Sequence, residues 1–133
     1  MESKAIALEN DQDIAVARTQ VRALAAALGF RALDQTRLAT VASELARNVV
    51  KYAGRGRLIA QPTEDSNGRQ GLRLIFEDQG PGISNIEEAM GEGFSTGRSL
   101  GLGLPGSKRL VDEFKIESVA GHSTRVTVLR WKA

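Results

Sequence analysis

The chain has no cysteine among its 133 residues, so neither a disulfide framework nor a thiolate metal site can be built from it. Its one histidine, His122, makes no zinc site alone, and its strand-turn setting reads as a surface turn. Aromatic residues are only 5% of the chain, which leaves few stacking platforms for single-stranded nucleic acid. Net charge is just +2, with 18 Lys and Arg against 16 Asp and Glu, scattered rather than grouped. That distribution offers no basic stripe to a duplex. No apolar run approaches the about 20 residues that a membrane span needs, and the first residues lack the apolar core of a secretion signal. The expectation is a soluble, cytoplasmic protein with no nucleic-acid or membrane partner.

Hydrophobic residues at 41% and charged residues at 26% are ordinary for a globular chain. A chain of this length buries about two-thirds of its unfolded surface, enough for one domain over residues 1–133. There is no repeat, linker or low-complexity tract. Residues 3–9 alternate weakly, as an edge strand does. Asn10, Asp11 and Asp13 offer caps for a helix over 12–28 that Gly29 ends. Asp34 is the expected cap of a second helix, over 35–52, with Leu38, Val41, Leu45, Val49 and Tyr52 inward. Strands are predicted at 57–61 and 71–78, joined by a polar loop carrying Pro62. A short helical piece at 86–90 opens a glycine-rich loop. A helix over 103–113, with Pro105 in its first turn, then leads to strands at 115–120 and 124–131. The order β-α-α-β-β-α-β-β predicts an α+β fold: a two-layer sandwich whose mixed, largely antiparallel sheet is covered on one face by helices.

Three local patterns carry chemistry. Asp78-Gln79-Gly80-Pro81-Gly82 follows a strand. Its carboxylate can accept hydrogen bonds from an exocyclic amine, and its glycines admit a flat base, although Pro-Gly is also an ordinary turn. Glu44 and Asn48 lie at i and i+4 on one helix face. An amide oxygen suits Mg2+, and a carboxylate can orient or deprotonate a hydroxyl; a solvated polar edge is the plain alternative. The third pattern, Gly97-Arg98-Ser99-Leu100-Gly101-Leu102-Gly103, opens a helix, where free N–H groups bind phosphate. Gly101-x-Gly103-x-x-Gly106 matches a dinucleotide fingerprint in letters, but no strand precedes it. A P-loop reading fails too, because Gly106-Ser107-Lys108 sets the lysine one residue late.

Together these patterns resemble the N, G1 and G2 boxes of the GHKL, or Bergerat-fold, ATP-binding family, over nearly the whole chain. Within it, Ser43-Glu44-Leu45-Ala46-Arg47-Asn48, Tyr52-Ala53-Gly54, Glu77-Asp78-Gln79-Gly80-Pro81-Gly82-Ile83 and Asp112-Glu113-Phe114 are similar to the anti-sigma-factor-type serine/threonine kinases. The likeness is strongest to the switch kinases of the stressosome. The resemblance implies ATP and Mg2+ as cofactors. Asp78 would bind the adenine amino group, with Gly80 and Gly82 lining the base and Thr124 beside it. Asn48 would ligate Mg2+. Gly97, Gly101, Leu102 and Gly103 would cradle phosphates under a lid over about 84–100, with Arg98 at the γ-phosphate. Glu44 would be the general base. Lys51 reads as solvated, and Trp131 as core or edge packing. The implied partners are STAS-domain proteins as substrate and scaffold, a PP2C-type phosphatase and a sigma factor. The alternative is an anti-sigma factor or nucleotide-dependent binding switch that sequesters its partner.

Overall fold

A computed structural model describes residues 2–80, 103–119 and 121–133. The expected 86–90 helix and the 84–100 lid fall outside these residues. Strand β1 (Lys4–Leu8) leads into α1 (Asp11–Ala27) and α2 (Ala32–Asn48), which ends in a π-helical turn, Val49–Ala53. Strands β2 (Gly56–Glu64) and β3 (Gln70–Asp78) form a hairpin. After a short helix, α3 (Leu104–Arg109), come β4 (Glu113–Val119) and β5 (Ser123–Trp131). The sheet order is β1-β2-β3-β5-β4 and every pairing is antiparallel, so the expected two-layer α+β architecture holds without a parallel pair.

Alternation decides which face is covered. In β3, Leu72, Leu74 and Phe76 are buried, while Arg73, Ile75 and Glu77 between them stay partly open. Val126 and Val128 of β5 and Leu58 and Ala60 of β2 share the inner face. Val21 and Leu24 of α1 and Leu38, Val41 and Leu45 of α2 pack onto it. Each such burial is worth about 1.5–3 kcal/mol. By register, Asp78 and Thr124 belong to this same face at the end of the sheet.

Local chemistry sets the ends of the elements. Asn10 caps α1 as expected, its Oδ1 accepting from the Asp13 amide at 3.1 Å. The hairpin turn is tied by Asp65, whose Oδ1 accepts from the amides of Asn67 and Arg69 at 2.8 Å each. Pro62 lies within β2 rather than in the loop. The pairing with β1 stops at Ala60, so Pro62 has no strand on that side to starve of a donor. The helix expected over 103–113 is only Leu104–Arg109. The Asp112 amide donates to the Leu129 carbonyl at 2.9 Å and the Asp112 carboxylate accepts from the Trp131 amide at 2.6 Å, so β5 captures the segment into the sheet. Tyr52, expected inward, is 40% exposed because the π turn rotates it off the buried stripe. His122 sits in the exposed turn after β4, and Trp131 packs at the sheet's end, 5.9 Å from the Arg69 guanidinium.

Asp34 is not the cap of α2. The helix begins at Ala32, and Asp34 points inward from its first turn, 1% exposed. There it pairs with Arg37 at 3.0 Å and with Arg130 of β5 at 2.8 Å. Arg130 also donates to the Leu110 carbonyl at 3.0 Å, so one ion cluster ties the start of α2 to the sheet and to the end of α3. Burial by itself would raise the Asp34 carboxyl, but hydrogen bonds from Arg37 and Arg130 and their charges hold it below its usual range. A depressed acid stabilises the fold above its unfolded-state pKa, and that stability drains away as pH falls through the folded-state value. Asp34→Asn should cost about 3 kcal/mol in denaturant unfolding at pH 7, because Arg130 loses its buried partner. The gap from wild type should close as the pH is lowered below about 4.

Candidate functional site

Four elements meet at one end of the sandwich: the C-terminal part of α2 with its π turn, the end of β3, the start of α3 and the start of β5. Register brings the first pair together. Asp78 lies directly opposite Thr124 on β5 and opposite Gly56 on β2. Thr124 in turn faces Ser118 of β4, and their hydroxyls share a hydrogen bond at 3.2 Å. The Ser118 hydroxyl also contacts the Ser123 carbonyl at 3.0 Å. A carboxylate and two hydroxyls thus form a polar row at the end of an otherwise apolar face.

Asp78 is held by amides. The Gly80 N–H donates to its Oδ1 at 2.9 Å, and the Thr124 amide donates as well. Burial is the larger effect and pushes the Asp78 carboxyl up, against the opposing pull of those two bonds. On the sheet's other face its neighbour Glu77 is gripped by Arg57 at 2.9 Å and Arg125 at 2.6 Å. Burial would raise Glu77 too, but there the two guanidinium hydrogen bonds prevail and lower it. Both arginines are more than half exposed, so the ladder contributes register more than stability.

Glycine makes the convergence possible. A Cβ on Gly80 would stand 2.5 Å from the Ala53 Cβ and 2.8 Å from its Cα, so the turn after β3 lies directly on the π turn that ends α2. A Cβ on Gly56 would collide with the Glu77 carbonyl and reach 3.0 Å from the Asp78 Cβ. The part of Gly56 in seating Asp78 has no local signal in the sequence. Gly103 takes φ +64°, and a Cβ there would meet the Glu44 Oε2 at 2.7 Å. The other Glu44 oxygen accepts from Arg47 at 3.1 Å. The carboxylate is thereby held between an arginine one turn along its own helix and the backbone that opens α3. Arg47 is the neighbour that sequence reasoning missed, although its i+3 spacing from Glu44 signals a helix-surface pair.

Asn48 closes α2, half-buried, one turn past Glu44. The five-residue π turn follows it at once; such turns widen the helix by one residue and gather at functional sites. Among the described residues no cluster of three or more His, Asp or Glu could hold a metal by itself. The chemistry of the donor, one amide oxygen at Asn48, fits a cation that takes few protein ligands and keeps water and phosphate oxygens. A half-buried acid flanked by backbone cradles that a single Cβ would fill fits a flat base with an amino group. Of the expected site residues, Glu44, Asn48, Asp78, Gly80, Gly103 and Thr124 converge here, whereas Gly82, Gly97, Arg98, Gly101 and Leu102 lie outside the described residues. Lys51 stays on the exposed surface, 5.2 Å from the Tyr52 ring.

The Gly80 contact should be intolerant of one methyl group. Gly80→Ala should lower the melting temperature by about 3–5 °C, the shift that about 1 kcal/mol produces in a domain of this size. Ala53→Gly in the same chain should restore part of it, since one of the two offending atoms is removed. Calorimetry of the two variants checks this, and a Gly80→Ala chain as stable as wild type would contradict the packing.

Residues 33–133 match the family described as "Histidine kinase-, DNA gyrase B-, and HSP90-like ATPase". Over 126 residues, 95% of this chain and 94% of the relative, the sequence is 47% identical to "Serine/threonine-protein kinase RsbT" of Bacillus subtilis (strain 168). The antiparallel sheet with helices on one face is the architecture expected of that family. Among the described residues no helix is long and apolar enough to cross a membrane. The chain belongs to the histidine kinase-, DNA gyrase B- and HSP90-like ATPase family, and within it is an RsbT-like serine/threonine kinase.

Proposed function

We propose that residues 1–133 form one ATP-binding domain that transfers the γ-phosphoryl group of Mg-ATP to a serine or threonine of a STAS-domain regulatory protein. Released from that partner, the chain would activate a PP2C-type phosphatase in a cytoplasmic, stress-response partner-switching pathway. The observation that carries the reading is the Glu44 carboxylate packed against the backbone of Gly103, at the end of the sheet that also presents Asp78 and Thr124.

Each group has a task that suits its chemistry. Asp78 accepts from the adenine amino group, and Gly80, with Gly82, lets the base lie close to the backbone. The Thr124 hydroxyl fills out the base's polar edge. Amides of Gly97, Gly101, Leu102 and Gly103 meet phosphate oxygens, with Arg98 at the γ-phosphate. Asn48 would hold Mg2+, which when bound neutralises phosphate charge and fixes phosphate orientation. Glu44 takes the proton as the partner's hydroxyl oxygen bonds to the γ-phosphorus, the bond to the β-phosphate oxygen breaks, and ADP leaves. Most of the rate would come from positioning and preorganised charge. Arg47 occupies one Glu44 oxygen and leaves Oε2 turned toward the phosphate end.

Two substitutions separate base binding from transfer. Glu44→Gln should slow transfer of labelled phosphate to the STAS partner by about 100-fold or more, since that is the range for a lost general base. ATP should still raise the melting temperature of this variant. Undiminished transfer by the variant would remove Glu44 from the chemistry. Asp78→Asn should abolish the ATP-induced thermal shift. Because burial disfavours the charged Asp78, neutralising it should leave the nucleotide-free fold no less stable at pH 7. Sigma-factor binding without any transfer by wild type would identify the chain as a sequestering switch instead.

A further inference from the structure

The side of the α1–α2 pair that faces away from the sheet carries a groove of about 1220 Å³ that the nucleotide chemistry does not use. One wall is α1, where Ile14, Ala15, Arg18, Arg22, Ala23 and Ala26 recur at helical spacing. From Asp11 to Ala26 this stripe runs about 22 Å at 1.5 Å per residue. The facing wall is α2 and its π turn, through Gln35, Ser43, Arg47, Val50 and Lys51. Four cations, Arg18, Arg22, Arg47 and Lys51, therefore line the groove against one carboxylate, Asp11. They form two i,i+4 pairs, one on each wall, with small apolar side chains between. Arg18 and Arg22 are exposed and have no ion-pair partner among the described residues.

An apolar floor between two cationic rims is complementary to a segment that is apolar on one face and acidic on its flanks. A nucleic-acid backbone would engage the cations but would leave the floor unused. A helix of about 15 residues matches the length of the groove and could present carboxylates to both rims at once. The groove's α2 wall also leads to the chemistry, because Arg47 both lines it and pairs with Glu44 at 3.1 Å. We propose that the α1–α2 groove is the docking site for an acidic, amphipathic helical segment of the protein substrate. Docking there holds the substrate one helical turn from Glu44. The partner's identity as a STAS protein rests on the kinase reading above; the groove's preference for an acidic segment does not.

The test uses the full chain and its Arg18→Glu/Arg22→Glu variant, both changes lying away from the nucleotide groups. Each is titrated with the STAS-domain protein without nucleotide and then assayed for transfer at saturating ATP. Affinity should fall, and the KM for the substrate should rise, by about tenfold or more, while kcat and the ATP-induced thermal shift stay within about twofold. Lysines placed on the substrate's acidic helix should restore binding to the variant. Equal binding by wild type and variant overturns the proposal. If wild type binds the STAS protein through Arg18 and Arg22 yet transfers nothing, the kinase reading fails and the docking site stands. If the STAS protein does not bind, a labelled helical peptide of about 15 residues, with glutamate on one face and leucine on the other, decides the matter. The groove survives only if that peptide binds and the variant loses it. Tighter capture of duplex DNA or of phosphatidylserine vesicles through the same two arginines overturns the proposal in favour of a polyanion surface.

Discussion

The rest of the site depends on one close backbone contact, the turn after β3 lying on the turn that ends α2. Gly80 meets Ala53 where an added Cβ would stand 2.5 Å from the alanine Cβ, and Gly56 is as tightly confined by the Glu77 carbonyl beside Asp78. Because the interior is packed at crystal-like density, a methyl group must displace Ala53 at the first position and the Glu77 carbonyl at the second. This contact sets the distance between the acid on the sheet and the carboxylate and amide on the helix. A helix that ran on regularly to residue 52 would aim Tyr52 inward; the π turn turns it out and lays Ala53 against Gly80 instead.

Helix α2 is accordingly held at both ends by different means. Its first turn is pinned by the buried Asp34–Arg130 pair, which reaches across 96 residues of sequence. At its last turn the close packing of Ala53 against Gly80 fixes its position. Between the two lies Glu44, whose side chain is 42% exposed and is positioned by Arg47 and by the Gly103 backbone. Rigid ends and a reachable carboxylate are what a positioning catalyst requires, since a misplacement of about 1 Å can cost about 100-fold in rate. The same helix forms one wall of the cationic groove, so substrate capture and chemistry would share a single rigid element.

Much of this was legible beforehand, and the failures have specific causes. Asn10 as a cap, Pro105 in a first turn and the β2–β3 hairpin follow from local propensities that tertiary packing left alone. Asp34 departs from the rule that Ser, Thr, Asp and Asn near a helix start cap it, because an arginine far along the chain draws its carboxylate inward. Helix α3 came out short because Asp112 finds better partners on β5 than a next helical turn would offer. Pro62 belongs to a strand because β1 is too short to pair beside it. No window of sequence contains those partners.

Sequence alone determined the kinds of group present and their order: a Glu/Asn pair on one helix face, an acid at a strand end followed by glycines, and an amide-rich start to a later helix. These depend on spacing within single elements, which local periodicity dictates. Tertiary structure decided that Asp78 faces Thr124, that Gly103 presses on Glu44, and that Gly80 and Gly56 are places where a side chain cannot fit. Those facts arise from register and close packing between elements distant in the chain. The cationic groove belongs to the same class, since its four cations are spread over 34 positions of the sequence, from Arg18 to Lys51, and become neighbours only when α1 and α2 pack side by side.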